Sequence, residues 1–271
     1  MAILEPFALA IAFLLSYIYD FVVSYGFSIA ILTVVINVII FPLTLRQTRS
    51  TKRMQDAQSD IKALQKKHKD NKEELNKAMA AMYKEKGINP LGCILPLIVQ
   101  MPIWFALFRV LREPLSFIPD TSKLFTALEN STSLTFFNMD LQIPPSEVSD
   151  WIERGPYLVL ILFVILTALY QQQQITKKSN NSNNPQAQQM QMIGKVMPIF
   201  FGFISWTLPT GLVVYFLTGN IFRIGQQALI VKLDDREETK KENTKSEENE
   251  QKNENPVQEN PRKNRKKRRR K

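Results

Sequence analysis

Apolar residues in this chain come in blocks of about 15–21, and the charges lie between the blocks or in the C-terminal stretch. That layout predicts membrane-spanning helices, because about 20 apolar residues at ~1.5 Å rise each cover a hydrocarbon core of ~30 Å. Five spans are expected: 25–45, 91–111, 156–174, 196–208 and 211–231. The apolar part of the third ends at Tyr170 and is followed by Gln171 to Gln174. The third and fourth are short, which predicts local bilayer thinning or polar ends drawn into the headgroup layer. Ahead of them, "PFALAIAFLLSYIYDFVV" predicts another apolar helix within 1–24. Asp20 and the short "SYG" link favour a helix lying at the membrane surface over a sixth span.

The first inter-span segment, 46–88, has a different rhythm. It holds no Pro or Gly from Arg46 to Lys86. Met54, Ala57, Ile61 and Leu64 recur at spacings of 3, 4 and 3, and Leu75, Met79 and Met82 at 4 and 3. Each set forms one apolar stripe on a helix. With "HKDN" as the turn between them, the segment reads as an antiparallel helical hairpin.

Charge then orients the chain. Its 271 residues are 45% hydrophobic with a formal net charge of +10, but the sign is uneven. Residues 46–86 carry 12 Lys+Arg against 6 Asp+Glu, and 112–154 carry 3 against 7. The 175–195 link carries Lys177, Lys178 and Lys195 and no acid. The positive-inside rule puts the hairpin, this link and the tail in the cytoplasm, and the 112–155 loop and the N-terminus outside. A sixth span at the start would instead place the N-terminus inside. The tail from Asp234, within the 232–271 segment, is poor in apolar residues and is expected to be disordered. It ends in nine basic residues out of ten: Arg262, Lys263, Arg265, Lys266, Lys267, Arg268, Arg269, Arg270 and Lys271. A block this dense tethers to an anion, either RNA phosphates or the anionic inner leaflet. It has no aromatic residue to stack on bases, so contact with RNA would not read sequence.

Several classes of chemistry fall away. One cysteine, Cys93, excludes an intrachain disulfide, and one histidine, His68, in a lysine-rich turn, offers no metal cluster. Neither a cleavable signal peptide nor an organelle transit peptide is expected. No paired carboxylates, phosphate loop or nucleophile–base pair marks an enzyme, and no cofactor is implied. Arg109 and Arg223 near span ends read as snorkelling side chains. Asn37 is different, for it stands mid-span with Thr33 one turn earlier on the same face. It is either a hydrogen-bonded link to a neighbouring helix or part of a polar wall on a water-filled cavity.

Three blocks sharpen the picture: "NVIIFPLT", "MYKEKGINPLGCILPLIVQMPIWFALF" and "VMPIFFGFISWTLPTGLVVYFLTGNIFRIGQQALI". From about Glu5 to Leu233 the chain resembles the YidC/Oxa/Alb family of membrane protein insertases, in order and with matching spacing. The resemblance implies an all-α polytopic fold of five transmembrane helices around a groove open to cytoplasm and lipid. It also implies a cytoplasmic hairpin and an N-terminal interfacial helix on the outer side. The activity implied is insertion and folding of nascent membrane proteins in the bacterial cell membrane, alone or with the Sec translocon, without nucleotide. The partners implied are nascent chains, the ribosome and anionic lipids, with a monomer as the functional unit.

Carried over residue by residue, the resemblance implies a substrate groove at Thr33, Asn37, Gln100, Tyr215 and Phe216. The family's groove arginine stands five residues before the proline of "PLT"; here that proline is Pro42 and the residue is Asn37. Phe216 stands where some members have a second tyrosine. The expected groove therefore works by hydration rather than by fixed charge. A channel or transporter would need charged residues at mid-depth, and none is present. A plain ribosome tether would not need the polar face of the first span.

Overall fold

A computed structural model of the chain describes residues 4–88, 95–130, 134–176 and 196–254. Cys93, the 177–195 link and the basic run 262–271 lie outside these residues. The chain divides into two units, 1–225 and 226–271.

Helices dominate. Helix α1 (Glu5–Val22) has Pro6 in its first turn and ends where Val23 turns left-handed, with φ 51°, and donates its N–H to the Tyr19 carbonyl. A branched side chain rarely accepts that geometry, and it reverses the chain within two residues. Helix α2 (Tyr25–Asp56) follows without a break through the expected 45/46 boundary. The hydrophobic run ends near Leu45, but Arg46 onward still consists of good helix formers, so the helix continues.

Helix α3 (Gln58–Lys67) and helix α4 (Lys72–Glu85) form the hairpin. The Asn71 side chain caps α4 by accepting from the backbone N–H groups of Glu73 and Glu74. Lys86, at the far end of α4, pairs with Asp60 at the start of α3, which fixes the antiparallel sense. Ala57, Met82 and Ile88 are buried together, with Met54, Ile61, Leu64 and Tyr83 packed on them. All four members of the first predicted stripe are therefore in this small core. Of the second stripe only Met82 is, while Leu75 and Met79 are half-buried. Burial holds the Tyr83 hydroxyl above the ordinary tyrosine pKa.

Helix α5 (Leu95–Arg112) leads back through the bundle. The 112–155 segment holds more structure than its sequence advertises. A short helix α6 (Lys123–Glu129) is capped by the Ser122 hydroxyl, which accepts from Phe125 N–H. A two-stranded hairpin pairs β1 (Thr135–Phe136) with β2 (Met139–Asp140), turning on Phe137 and Asn138 at positive φ. Helix α7 (Trp151–Thr176) starts five residues before the expected 156, because the Asp150 carboxylate accepts from Ile152 N–H and caps it. Helix α8 (Val196–Ser205) is short and apolar. Helix α9 (Thr210–Glu254) starts after the "LPT" turn.

The end of α9 corrects one expectation. The tail was expected to lose structure from Asp234, yet α9 is helical to Glu254. No Gly or Pro occurs between Gly225 and Pro256, and Glu237 and Glu248 stand four residues before Lys241 and Lys252. Such spacing sustains a charged helix without an apolar face.

Among the described residues, three helices are long and apolar enough to cross a membrane by length and composition: Glu5–Val22, Tyr25–Met54 and Trp151–Gln174. The core gathers α1, α2, α5, the 112–155 loop and the start of α9. Leu15, Tyr25, Ile29, Leu32, Leu107, Leu111, Leu124, Leu141 and Leu212 are fully enclosed there. Gly26 lets the loop approach, since a Cβ on it would meet the Phe136 ring at 2.3 Å. Phe136 in turn sits edge-on to Phe27, 5.1 Å between centroids.

Candidate functional site

Burial along α2 and α5 changes at a common level, and α9 loosens briefly beside it. On α2, Ile29, Leu32, Thr33 and Ile36 are buried, and none of residues 37–46 is. On α5, Ala106, Leu107, Val110 and Leu111 are buried, and none of residues 99–105 is. On α9, residues 210–215 are all buried and 216–218 are half-buried, with Gly219 and Asn220 enclosed beyond them. The bundle is closed beneath the 112–155 loop and loosens toward the hairpin. Thr33, Asn37, Gln100, Tyr215 and Phe216 all sit at this transition.

Gln100 and Tyr215 are brought together. The Gln100 amide donates to the Tyr215 hydroxyl at 2.5 Å, joining α5 to α9 across 115 positions of sequence. Tyr215 is buried and Phe216 is half-buried beside it. The Phe216 ring stacks on Trp104, 6.5 Å between centroids, and meets Phe201 edge-on at 5.9 Å. An aromatic corner thus forms from α5, α8 and α9.

Thr33 and Asn37 bond to their own helix. The Thr33 hydroxyl donates to the Ile29 carbonyl at 2.6 Å, and the Asn37 Nδ2 donates to the Thr33 carbonyl at 2.8 Å. Thr33 is fully enclosed near α9, where a Cβ on Gly219 would stand 3.8 Å from its methyl group. Asn37 is half-buried, and among the described residues no donor reaches its Oδ1. It makes no side-chain hydrogen bond to a neighbouring helix there. Besides Gln100–Tyr215, an interhelical polar link is made by Asn220, whose Nδ2 lies 3.3 Å from both the Val164 carbonyl and the Thr167 hydroxyl on α7.

Two prolines add to the polar character of this level. Pro42 lies inside α2 and Pro102 inside α5. Neither has an N–H to give to the carbonyl four residues earlier, at Val38 and Ile98. Both positions are within about two turns of the transition, on the hairpin side.

Trp104 is a residue that sequence reasoning missed. Its indole Nε1 is buried without a partner among the described residues. It stands four residues after Gln100, so the two share a face of α5, and that spacing was available in "QMPIW".

A family model described as "60Kd inner membrane protein" matches residues 17–238. The chain belongs to this family. It is accordingly an all-α polytopic membrane protein. The similar proteins in this family include three named "Membrane protein insertase YidC". The one from Pelobacter propionicus is 32% identical over 219 residues, covering 81% of this chain and 37% of the relative. The one from Treponema denticola is 30% identical over 239 residues, covering 84% and 38%. The one from Ectopseudomonas mendocina is 33% identical over 222 residues, covering 82% and 33%. The chain thus spans about a third of the length of these relatives and matches each over most of its own.

Proposed function

We propose that this chain is a membrane protein insertase whose polar wall lies at Thr33, Asn37, Gln100, Tyr215 and Phe216. The observation that carries the reading is the shared level at which α2 and α5 pass from closed to loosened packing, with Thr33, Asn37 and Gln100 on it and Tyr215 of α9 bonded to Gln100. Family membership and the name shared by the relatives point the same way.

The physics is that of solvent exchange. A nascent span with a short polar tail must carry unsatisfied backbone groups across oil, at several kcal/mol each. A wetted recess reaching part-way from the hairpin side shortens that dry path. Burial of the span's apolar surface in lipid drives the step, so the protein need only lower a barrier. The aromatic corner of Trp104, Phe201 and Phe216 gives adaptable apolar contact, and Asn37 Oδ1 with the proline-freed carbonyls holds water. No nucleotide or catalytic group takes part.

In this reading α1 lies at the outer surface and the hairpin and tail face the cytoplasm of a bacterial cell. The chain works as a monomer on nascent membrane proteins, alone or beside the Sec translocon. The basic run 262–271 meets ribosomal RNA phosphates or anionic lipid. Site-specific crosslinking from Thr33, Asn37 and Tyr215 to a stalled nascent chain tests the wall. Adducts are expected at all three, and crosslinks confined to lipid-facing controls such as Leu162 would overturn it. Deleting 262–271 should leave basal insertion intact and abolish salt-sensitive cosedimentation with ribosomes.

A further inference from the structure

The end of the bundle opposite the hairpin carries an arginine with no role in the reading above. Arg154, in the first turn of α7, directs Nε at the Val148 carbonyl at 2.9 Å, and Nη2 also reaches that oxygen. Its guanidinium lies 4.9 Å from the centroid of the Trp151 ring and 5.4 Å from that of Trp206. Trp206 follows α8, so this cation joins the ends of two helices. Both indoles lie against the guanidinium, whose edge away from Val148 carries its remaining N–H donors.

No carboxylate claims that edge. Asp150 and Glu153 are neighbours in sequence, but among the described residues Arg154 makes no ion pair. Asp150 Oδ1 is occupied by the Ile152 N–H, 2.9 Å away. A guanidinium has five N–H donors, and those not directed at Val148 are arranged for bidentate contact with a phosphate.

What lies beyond the arginine identifies the phosphate's carrier. Trp151 is 74% and Ile152 85% exposed, and the outward stripe continues along α7 through Leu158, Leu162, Phe163 and Leu166. It closes at the exposed Tyr170, about 28 Å from Trp151 at the helical rise, close to the ~30 Å of a hydrocarbon core. Trp and Tyr favour the two membrane interfaces, so this stripe has the dimensions of a lipid-facing surface with Arg154 at its head.

We propose that Arg154, set against Trp151 and Trp206, binds the phosphodiester of a membrane phospholipid whose acyl chains lie along the outer stripe of α7. Arg109 and Arg112 at the same end, over Phe117 at 5.0 Å and Phe108 at 5.7 Å, extend the same kind of surface. The assignment is independent of the insertase activity and can fail without it.

The test is native mass spectrometry of the full chain in detergent, titrated with phosphatidylglycerol. Arg154→Gln is expected to weaken lipid retention about tenfold, the loss of a charge-assisted hydrogen-bond pair, with Arg154→Lys between it and the parent. Unchanged retention in a folded Arg154→Gln chain overturns the site. Displacement of the lipid by inorganic phosphate at matched concentration overturns the lipid assignment in favour of a free-anion site. If Arg154→Gln fails to fold, Trp104→Phe serves instead, because the chain has 3 tryptophans and the two left are those beside Arg154. Lipids brominated near the headgroup should then quench emission more than lipids brominated deep in the chain. Quenching by aqueous iodide with none by either lipid overturns the proposal.

Discussion

The two halves of the bundle use polar groups in opposite ways. Under the 112–155 loop, polar atoms tie separate segments together. Thr210 gives both its N–H, at 3.1 Å, and its hydroxyl, at 2.7 Å, to the Ile143 carbonyl. Gly211 N–H reaches the Leu141 carbonyl at 2.8 Å, Ser146 N–H the Trp206 carbonyl at 3.1 Å, and Asp140 N–H the Tyr157 hydroxyl at 2.7 Å. Toward the hairpin, the side chains of α2 turn back on their own helix instead. Asn37 bonds to Thr33, and Thr44 to Ile40 at 3.0 Å. Such bonds satisfy one atom locally and leave the others uncommitted. One half spends its hydrogen-bonding capacity on closure, and the other keeps part of it available.

Substitutions on the two halves of one helix test that contrast most strongly. Leu107 is fully enclosed and Phe105, two residues away, is 39% exposed. Leu107→Ala should destabilise the bundle by about 2–5 kcal/mol in micellar denaturation followed by circular dichroism. Phe105→Ala should cost about 1 kcal/mol or less. Equal costs would mean that the halves are packed alike. At the closed end, Gly26→Ala drives a methyl into the Phe136 ring and should cost about 1–3 kcal/mol by the same measurement.

Asn37→Leu should lower insertion of single-span substrates by about fivefold in reconstituted vesicles, the weight of one hydrogen bond at a barrier, with little change in unfolding. Asn37→Ala should act in the same direction, and Asn37→Arg should be tolerated. Full activity in Asn37→Leu would remove this residue from the wall. Smallest is the coupling between Gln100 and Tyr215. A double-mutant cycle with Gln100→Leu and Tyr215→Phe should give about 1 kcal/mol. No coupling would mean that the bond closes nothing.

What was legible in the sequence follows the reach of each signal. The stripe Met54, Ala57, Ile61 and Leu64 was readable because its period and its partner stripe lie within one short segment. The β-hairpin at Phe136 and Met139 was not, because strands of two residues have no period, and Phe137 at positive φ breaks the usual Gly or Asn preference for such turns. The start of α7 at Trp151 was hidden for a different reason. Hydropathy locates the apolar run, while the Asp150 cap that sets the helix end is polar. Asn37 and Thr33 could be placed on one helix face from spacing alone. The meeting of Gln100 with Tyr215 could not, since it depends on how α5 and α9 are docked.

The prolines at 42 and 102 carry a consequence for what the wall favours in a passing chain. Each frees a backbone carbonyl, and Asn37 has its amide nitrogen occupied and its oxygen open. At this depth Asn37 Oδ1 and the two freed carbonyls offer lone pairs, while Gln100, Trp104 and Tyr215 carry N–H and O–H hydrogens. An unfolded segment in transit has the complementary need, because its peptide N–H groups and any lysine or arginine in its tail are donors. In the proposed insertase, Asn37 and the two prolines would therefore add acceptors to a wall whose donors come from Gln100, Trp104 and Tyr215.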